Sequence, residues 1–433
     1  MKYYCIGIKG TGMSTLAQIL FDLGNEVSGY DDATGYKFTQ DGLEKRSINI
    51  YYDQNHELDP ETIVTYSVVC PIDHKELVRA RELGLTIKKY NEIVGDITNM
   101  FETIGVSGTH GKTTTTSIIR HILEKTVGCN YFVGSGDGKV TKENKYFVIE
   151  SDEFNRHFLA YHPTYSIITN IEKEHMECYS DIDDIRNTFE SFVNKTKNFA
   201  VVCGDNEEIR KINYTSKVYF YGFNDNNDIV IKNLELNSNG SSFDLYLDNE
   251  LYGSFTIPLY GKHMILDATA AIIVCKNLGI EEKQIEDALS SFRNAKRRFA
   301  IEEVNGTTIV DDYAHHPTEI KVTLEAVKQK YPDKDLTVIF KPNTYSRTKD
   351  FTNEFVEALN IADNVFLTEI ESNREKQEDY PGVSSHMITD KLDNGQIIDE
   401  NNLEIIKNYS DNVICVMSCA DVSHLIENLK EVL

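Results

Sequence analysis

The sequence contains no apolar run of about eighteen residues, the length a helix needs to cross a bilayer, so no membrane partner is expected. Its opening residues, Met1-Lys2-Tyr3-Tyr4-Cys5-Ile6-Gly7, enter a strand at once and lack the apolar core of a secretory leader. Cations are scarce: 44 Lys and Arg face 69 Asp and Glu, a formal net charge of -25. A polyanion would be repelled by that field, so nucleic acid is not an expected partner. The eight cysteines are scattered and none forms a Cys-x-x-Cys pair. Reduced thiols of a cytoplasmic protein therefore fit better than zinc sites or disulfides.

What is present describes a globular α/β protein. Hydrophobic residues make up 40% and charged residues 26% of the 433 positions, more than one ordinary core can hold. The most informative stretch is Gly108-Thr109-His110-Gly111-Lys112-Thr113-Thr114-Thr115-Thr116. The apolar run Thr103–Val106 leads into it and a helical pattern through Ile118, Ile119, Ile122 and Leu123 follows. Strand, glycine-rich turn and helix together aim backbone N–H groups and a helix N-terminus at one spot, which suits a phosphate. Lys112 supplies a mobile cation for the outer phosphates of a nucleotide, and the Thr113 hydroxyl suits Mg²⁺. The usual loop carries a further glycine where this chain has Val106.

A second such turn lies at the start. Tyr3–Ile8 reads as a buried strand, Gly7 to Ser14 as a glycine-rich turn, and Leu16, Ile19, Leu20 and Leu23 as one helix face. Gly10-x-Gly12-x-x-Thr15 resembles a dinucleotide fingerprint lacking its third glycine, with Asp31-Asp32 closing the next strand about 20 residues on. Alternating strands and helices, including a strand over Ile63–Val69, a helix over Lys75–Leu83 and a strand over Leu85–Lys88, carry this domain to residue 98.

Beyond the phosphate loop, the strand Tyr146–Ile149 ends in Glu150-Ser151-Asp152-Glu153, and Tyr165–Thr169 in Asn170-Ile171-Glu172-Lys173-Glu174-His175. Acids at the C-terminal ends of central strands are either metal ligands or solvated carboxylates. Period-two segments between Lys217 and Tyr260 predict a small antiparallel insertion. Lys296-Arg297-Arg298 is a dense cationic cluster that suits phosphate or solvent equally. From Phe299 a third α/β unit begins. Its strand Thr307–Val310 opens into Asp311-Asp312-Tyr313-Ala314-His315-His316-Pro317-Thr318-Glu319, and Arg347 follows the strand Leu336–Phe340. Glu371–Gly382 reads as a polar surface loop.

At Gly108–Thr116 the chain resembles the Mur ligase family. The resemblance spans essentially the whole sequence, through Gly7–Ser14, Glu150–Glu153, Thr169–Glu172 with His175, Gly261–His263, Lys296–Phe299, Asp311–Glu319 and Tyr345–Thr348. The Asp311–Glu319 run points to the branch that adds the first amino acid of the peptidoglycan stem. The resemblance implies three domains. A Rossmann-like domain (1–98) would bind the UDP-sugar, a P-loop ATPase-like α/β domain with a small antiparallel β extension (99–298) would bind ATP, and a Rossmann-like α/β domain (299–433) would bind the amino acid.

The implied activity is ATP-dependent ligation of L-alanine to the lactyl carboxylate of UDP-N-acetylmuramate through an acyl phosphate. Gly7, Gly10, Thr11, Gly12, Met13, Ser14 and Asp31 would hold the sugar nucleotide. Gly108 to Thr114, with Asp267, Asp312 and Tyr313, would hold ATP. Thr113, Glu150 and His175 would surround Mg²⁺, and Lys112, Arg298, His315 and Arg347 would surround the reacting groups, His315 or His316 taking the amine proton. A sister enzyme of wall recycling that adds a tripeptide, or a silent nucleotide-binding homologue, are the alternatives. The chain departs from the family pattern at Met264–Asp267, Lys341–Asn343, Val69–Ile72 and Ser418–Ala420.

Overall fold

The computed structural model describes residues 1–433 except Val68, Ser135, Asn373 and Arg374. Its strands form three sheets. The first is five-stranded and wholly parallel, in the spatial order Asn49–Tyr51, Glu26–Tyr30, Lys2–Ile6, Thr62–Tyr66 and Thr86–Lys89. The strand order reverses at Lys2–Ile6, which puts the turn after it at the switch point where such sheets bind ligands. The expected strand over Ile63–Val69 stops at Tyr66, and Val68 lies outside the described residues.

The second sheet has ten strands. Phe199–Cys203, Tyr165–Ile168, Glu102–Ser107, Tyr146–Glu150 and Asn130–Val133 form its parallel centre. Asp137–Lys139 closes one end antiparallel to Asn130–Val133. These central strands are apolar along their length because helices cover both faces of a parallel sheet; Phe147, Val148 and Ile149 are fully buried.

The insertion starts later than the period-two pattern predicts. Lys217–Gly222 runs parallel to Phe199–Cys203 and belongs to the main sheet. Only the edge strands Ile229–Asn237, Gly240–Leu247 and Glu250–Ile257 make up the extension. The last two are joined at Asp248-Asn249, both with positive φ, the hairpin turn that matches strand twist.

In the six-stranded third sheet, Ala300–Val304 lies antiparallel on Thr307–Asp312, followed by Val413–Met417, Leu336–Phe340, Asn364–Leu367 and Gly395–Ile397 in parallel. Val413–Met417 and Leu336–Phe340 are buried throughout, between one core layer centred on Leu324, Val338 and Phe355 and another on Ile339, Ile414 and Leu425. The Glu371–Gly382 loop holds a short turn of helix at Gln377–Asp379, and its Asn373 and Arg374 lie outside the described residues.

By packing, the chain divides into two compact units. Met1–Lys232, Asp244–Ser254 and Leu266–Ser290 form one; Asn233–Phe243, Phe255–Ile265 and Ser291–Leu433 form the other.

Candidate active site

The central phosphate loop is only Gly108 to Gly111, between strand Glu102–Ser107 and helix Lys112–Thr126. Val106 lies inside the strand, fully buried and in register with Glu150 on one side and Ile167 on the other. That position has no turn to make, which accounts for the absent glycine. Gly108 (φ 140) and Gly111 (φ 82) do make the turn, in backbone regions that suit glycine. The first bond inside the helix is Thr115 N–H to the Gly111 carbonyl, 2.9 Å. The N–H groups of Lys112, Thr113 and Thr114 therefore precede the ladder and open toward the loop.

The loop is stapled from the end of strand Tyr165–Ile168. Asn170 Oδ1 accepts the His110 N–H (2.8 Å), while Thr169 Oγ1 (2.5 Å) and Asn170 Nδ2 (3.1 Å) donate to the His110 carbonyl. The Glu172 N–H donates to Thr109 Oγ1 (2.9 Å), and His110 Nε2 lies 3.5 Å from Glu172. A Cβ on Gly108 would stand 1.9 Å from Thr169 Oγ1, and one on Gly111 would stand 2.5 Å from Asp267 Oδ1. Asp267 thus packs against the phosphate loop itself.

The acids gather at the end of strand Tyr146–Glu150. Thr113 donates its hydroxyl to both Glu150 oxygens (3.0 and 3.1 Å), and the Gly134 N–H orients Glu150 Oε2 (2.9 Å). Lys112 Nζ donates to Glu153 Oε1 (3.0 Å) and to the carbonyls of Gly108 (2.6 Å) and Thr109 (3.1 Å). Burial opposes the Lys112 charge, yet Glu153, Asp152 and Glu150 outweigh it and hold the ammonium above its usual pKa. Burial pushes the Glu153 carboxyl up, with Lys112 opposing.

His175, in a left-handed backbone conformation (φ 57), brings a ring nitrogen within 4.8 Å of carboxylate oxygens of Asp152 and Glu153. Burial works against its imidazolium, but Glu177, Glu153, Glu174 and Asp152 together raise its pKa. The three residues expected around Mg²⁺ therefore divide: Thr113 touches Glu150, while His175 joins Asp152 and Glu153. Hard oxygen donors dominate both groups, and the Gly134 N–H fixes the Glu150 carboxylate, a donor set that fits a magnesium ion.

At the N-terminal loop, Gly7 (φ 75) donates to the Tyr30 carbonyl, 2.7 Å. Helix Thr11–Asp22 begins without a side-chain cap, and its first bond is Ser14 N–H to the Gly10 carbonyl. The backbone N–H groups of Thr11, Gly12 and Met13 are its open donors. The Met13 and Ser14 side chains face the core, Ser14 Oγ donating to the Thr39 carbonyl (2.8 Å). Asp31 accepts from the Lys9 N–H (2.9 Å) and the Ala33 N–H (3.0 Å), so both its oxygens shape the loop.

In the other unit, His315 Nδ1 lies 3.0 Å from Glu319 Oε2 and 3.1 Å from the Tyr313 carbonyl. Both neighbours are acceptors, which puts the proton of a neutral ring on Nδ1 and leaves Nε2 basic. His316 instead caps helix Pro317–Lys330 in a capping box with Glu319. Asp312 accepts the Phe299 N–H (2.7 Å) and the Ala314 N–H (2.8 Å); burial raises its pKa, with Arg298 opposing. The Arg298 guanidinium lies over the Tyr313 ring, 4.8 Å from its centre. Arg297 anchors to the Ser418 and Ala420 carbonyls. Arg347 donates to the Asn343 carbonyl (3.0 Å), next to Thr344 with φ 76. Lys341, at a departure from the family pattern, pairs with Glu371 (2.6 Å) and Glu400 (2.9 Å).

Family models for the Mur ligase family catalytic domain, the Mur ligase middle domain and the Mur ligase glutamate ligase domain match residues 2–102, 106–275 and 297–427. The chain belongs to the Mur ligase family. Among its Mur ligase relatives, the UDP-N-acetylmuramate–L-alanine ligase of Lacticaseibacillus paracasei is 41% identical over 420 residues, 97% of this chain and 96% of that one. The enzyme of that name from Lactiplantibacillus plantarum is 40% identical over 423 residues. In three dimensions the chain is similar to UDP-N-acetylmuramate-alanine ligase from Thermotoga maritima, at TM-score 0.83 and 25% identity over 100% of this chain and 99% of the other. It shares the fold of a murein peptide ligase from Psychrobacter arcticus at TM-score 0.69 and 21% identity.

Proposed function

We propose that this chain joins L-alanine to the lactyl carboxylate of UDP-N-acetylmuramate at the expense of ATP, an early step of peptidoglycan precursor synthesis in the cytoplasm. The observation that carries the reading is the 41% identity to an L-alanine-adding ligase over 97% of the chain. The site geometry agrees with it. A carboxylate cannot expel oxide, so it must first be activated. ATP supplies the phosphoryl group for an acyl phosphate, and a bound magnesium ion would help to neutralise its charge. The alanine amine then attacks the acyl carbon, phosphate leaves, and the amine loses a proton.

The chain's residues do the positioning. Residues 1–98 bind the sugar nucleotide through the backbone N–H groups of Thr11 to Met13, in a loop that Gly7, Gly10 and Asp31 shape. Residues 99–298 bind ATP through the Gly108–Thr114 backbone, with Asp267 packed on Gly111. Lys112 and Arg298 would neutralise the moving phosphoryl group, while Thr113 with Glu150, and His175 from its group with Asp152 and Glu153, would hold magnesium. Residues 299–433 bind the amino acid, with Arg347 for a carboxylate and Asp312 and Tyr313 beside Arg298. His315 Nε2 takes the amine proton, since Glu319 and the Tyr313 carbonyl fix the opposite nitrogen.

The test is ADP release with UDP-N-acetylmuramate and a panel of acceptors. Release dependent on both the sugar nucleotide and L-alanine is expected. Preference for the tripeptide L-Ala-D-Glu-diamino acid would move the chain to the recycling branch, and no turnover with any acceptor would sink the ligase reading.

A further inference from the structure

Tyr90 opens helix Tyr90–Thr98, directly after the last strand of the first sheet. Its ring packs edge-on against Phe132, centroids 6.5 Å apart, and at a tilt against His157 at 6.1 Å. The hydroxyl end reaches the N-terminal loop: a Cβ on Gly12 would lie 2.8 Å from the Tyr90 oxygen. Gly12 does not have a left-handed φ, so glycine is required there by the approach of this phenol and not by a turn.

Two sets of donors meet at that point. The N–H groups of Thr11, Gly12 and Met13 precede the helical ladder, and no side chain caps them. The Tyr90 hydroxyl has no hydrogen-bond acceptor among the described residues. Burial, with Tyr161, Asp152 and Glu150 adding to it, holds the phenol well above its ordinary pKa, so it keeps its proton and can only donate or accept as a neutral group. A neutral donor with no protein partner, placed against uncapped backbone donors, is suited to an anionic oxygen.

We propose that Tyr90 is a binding residue for the sugar nucleotide, its hydroxyl donating to the diphosphate held at Gly10–Met13. This rests on the sugar-nucleotide reading of that loop. It assigns a side chain to a subsite otherwise made of backbone.

Tyr90→Phe keeps the ring contacts and the shape beside Gly12, and removes only the donor. Calorimetric titration with UDP-N-acetylmuramate should show a Kd raised about tenfold or more, the usual loss for a hydrogen bond to a charged group. KM for the sugar nucleotide should rise likewise, with KM for ATP and L-alanine within about twofold of wild type and Tm unchanged. A Kd within twofold of wild type overturns the proposal while leaving the ligase reading intact. So does a rise in KM for ATP alone, or a loss of binding accompanied by a lowered Tm. A wild-type protein that does not bind UDP-N-acetylmuramate at all overturns both.

Discussion

The two strand–turn–helix loops look alike in sequence and are built differently. At Gly108–Gly111 the lysine folds back over its own loop: Lys112 Nζ sits among the Gly108 and Thr109 carbonyls and the Glu153 carboxylate. At Gly7–Gly12 the lysine is structural. Lys9 is 1% exposed, and its ammonium donates to the Ala33 and Gly35 carbonyls, 2.5 Å each. The Gly7–Gly12 loop therefore presents neutral donors, and the Gly108–Gly111 loop a cation ringed by acids. A diphosphate that is only held needs fixed dipoles. A phosphoryl group that changes partners needs charge that can follow it.

Four substitutions test whether the two loops differ in this way. Lys112→Ala has the largest expected effect, a loss of about two orders of magnitude or more in kcat/KM, roughly 3 kcal/mol, with circular dichroism unchanged. Alanine-dependent phosphate release at the wild-type rate would falsify the reacting role of this loop. Val106→Gly supplies the glycine of the usual phosphate loop, yet it empties a fully buried strand position. We expect about 3 kcal/mol of lost stability in urea unfolding and no gain in ATP affinity. Tighter ATP binding would show that the loop begins earlier than its geometry indicates.

Lys9→Met should cost about 2 kcal/mol through the two carbonyls it leaves without their donor, and should weaken UDP-N-acetylmuramate binding. Its KM for ATP should not move; if it does, the two loops are not separate devices. Thr169→Val removes one donor to the His110 carbonyl while Asn170 Nδ2 remains. A loss of about 1 kcal/mol in ATP binding is expected, and an unchanged affinity would mean that Asn170 alone fixes the loop.

Much of this was legible in the sequence where the signal is local. Continuous apolar runs such as Tyr146–Ile149 and Leu336–Phe340 mark doubly covered parallel strands. The Gly108–Thr116 turn is recognisable because glycine, lysine and hydroxyls are adjacent. What escaped depends on partners far apart in the chain. Lys217–Gly222 alternates like a hairpin strand, yet pairs in parallel with Phe199–Cys203. Asp31 reads as a ligand for the substrate, and nothing local says that its oxygens also accept the Lys9 and Ala33 amides. Asn170 opens a polar cluster after a strand read to end at Thr169, though nothing local says that the two hold His110. Tyr90 carries no motif at all; only its approach to Gly12, far back in the chain, gives it meaning.

The Asn170 staple has a consequence for how this enzyme comes into being. The loop's shape is set by a residue 60 positions downstream of His110. A nascent chain that has emerged only through Lys112 carries the whole glycine-lysine signature and none of its geometry. The proposed ATP site is in this sense a late structure, since it needs strand Tyr165–Ile168 beside Glu102–Ser107 to bring Thr169 and Asn170 to the turn.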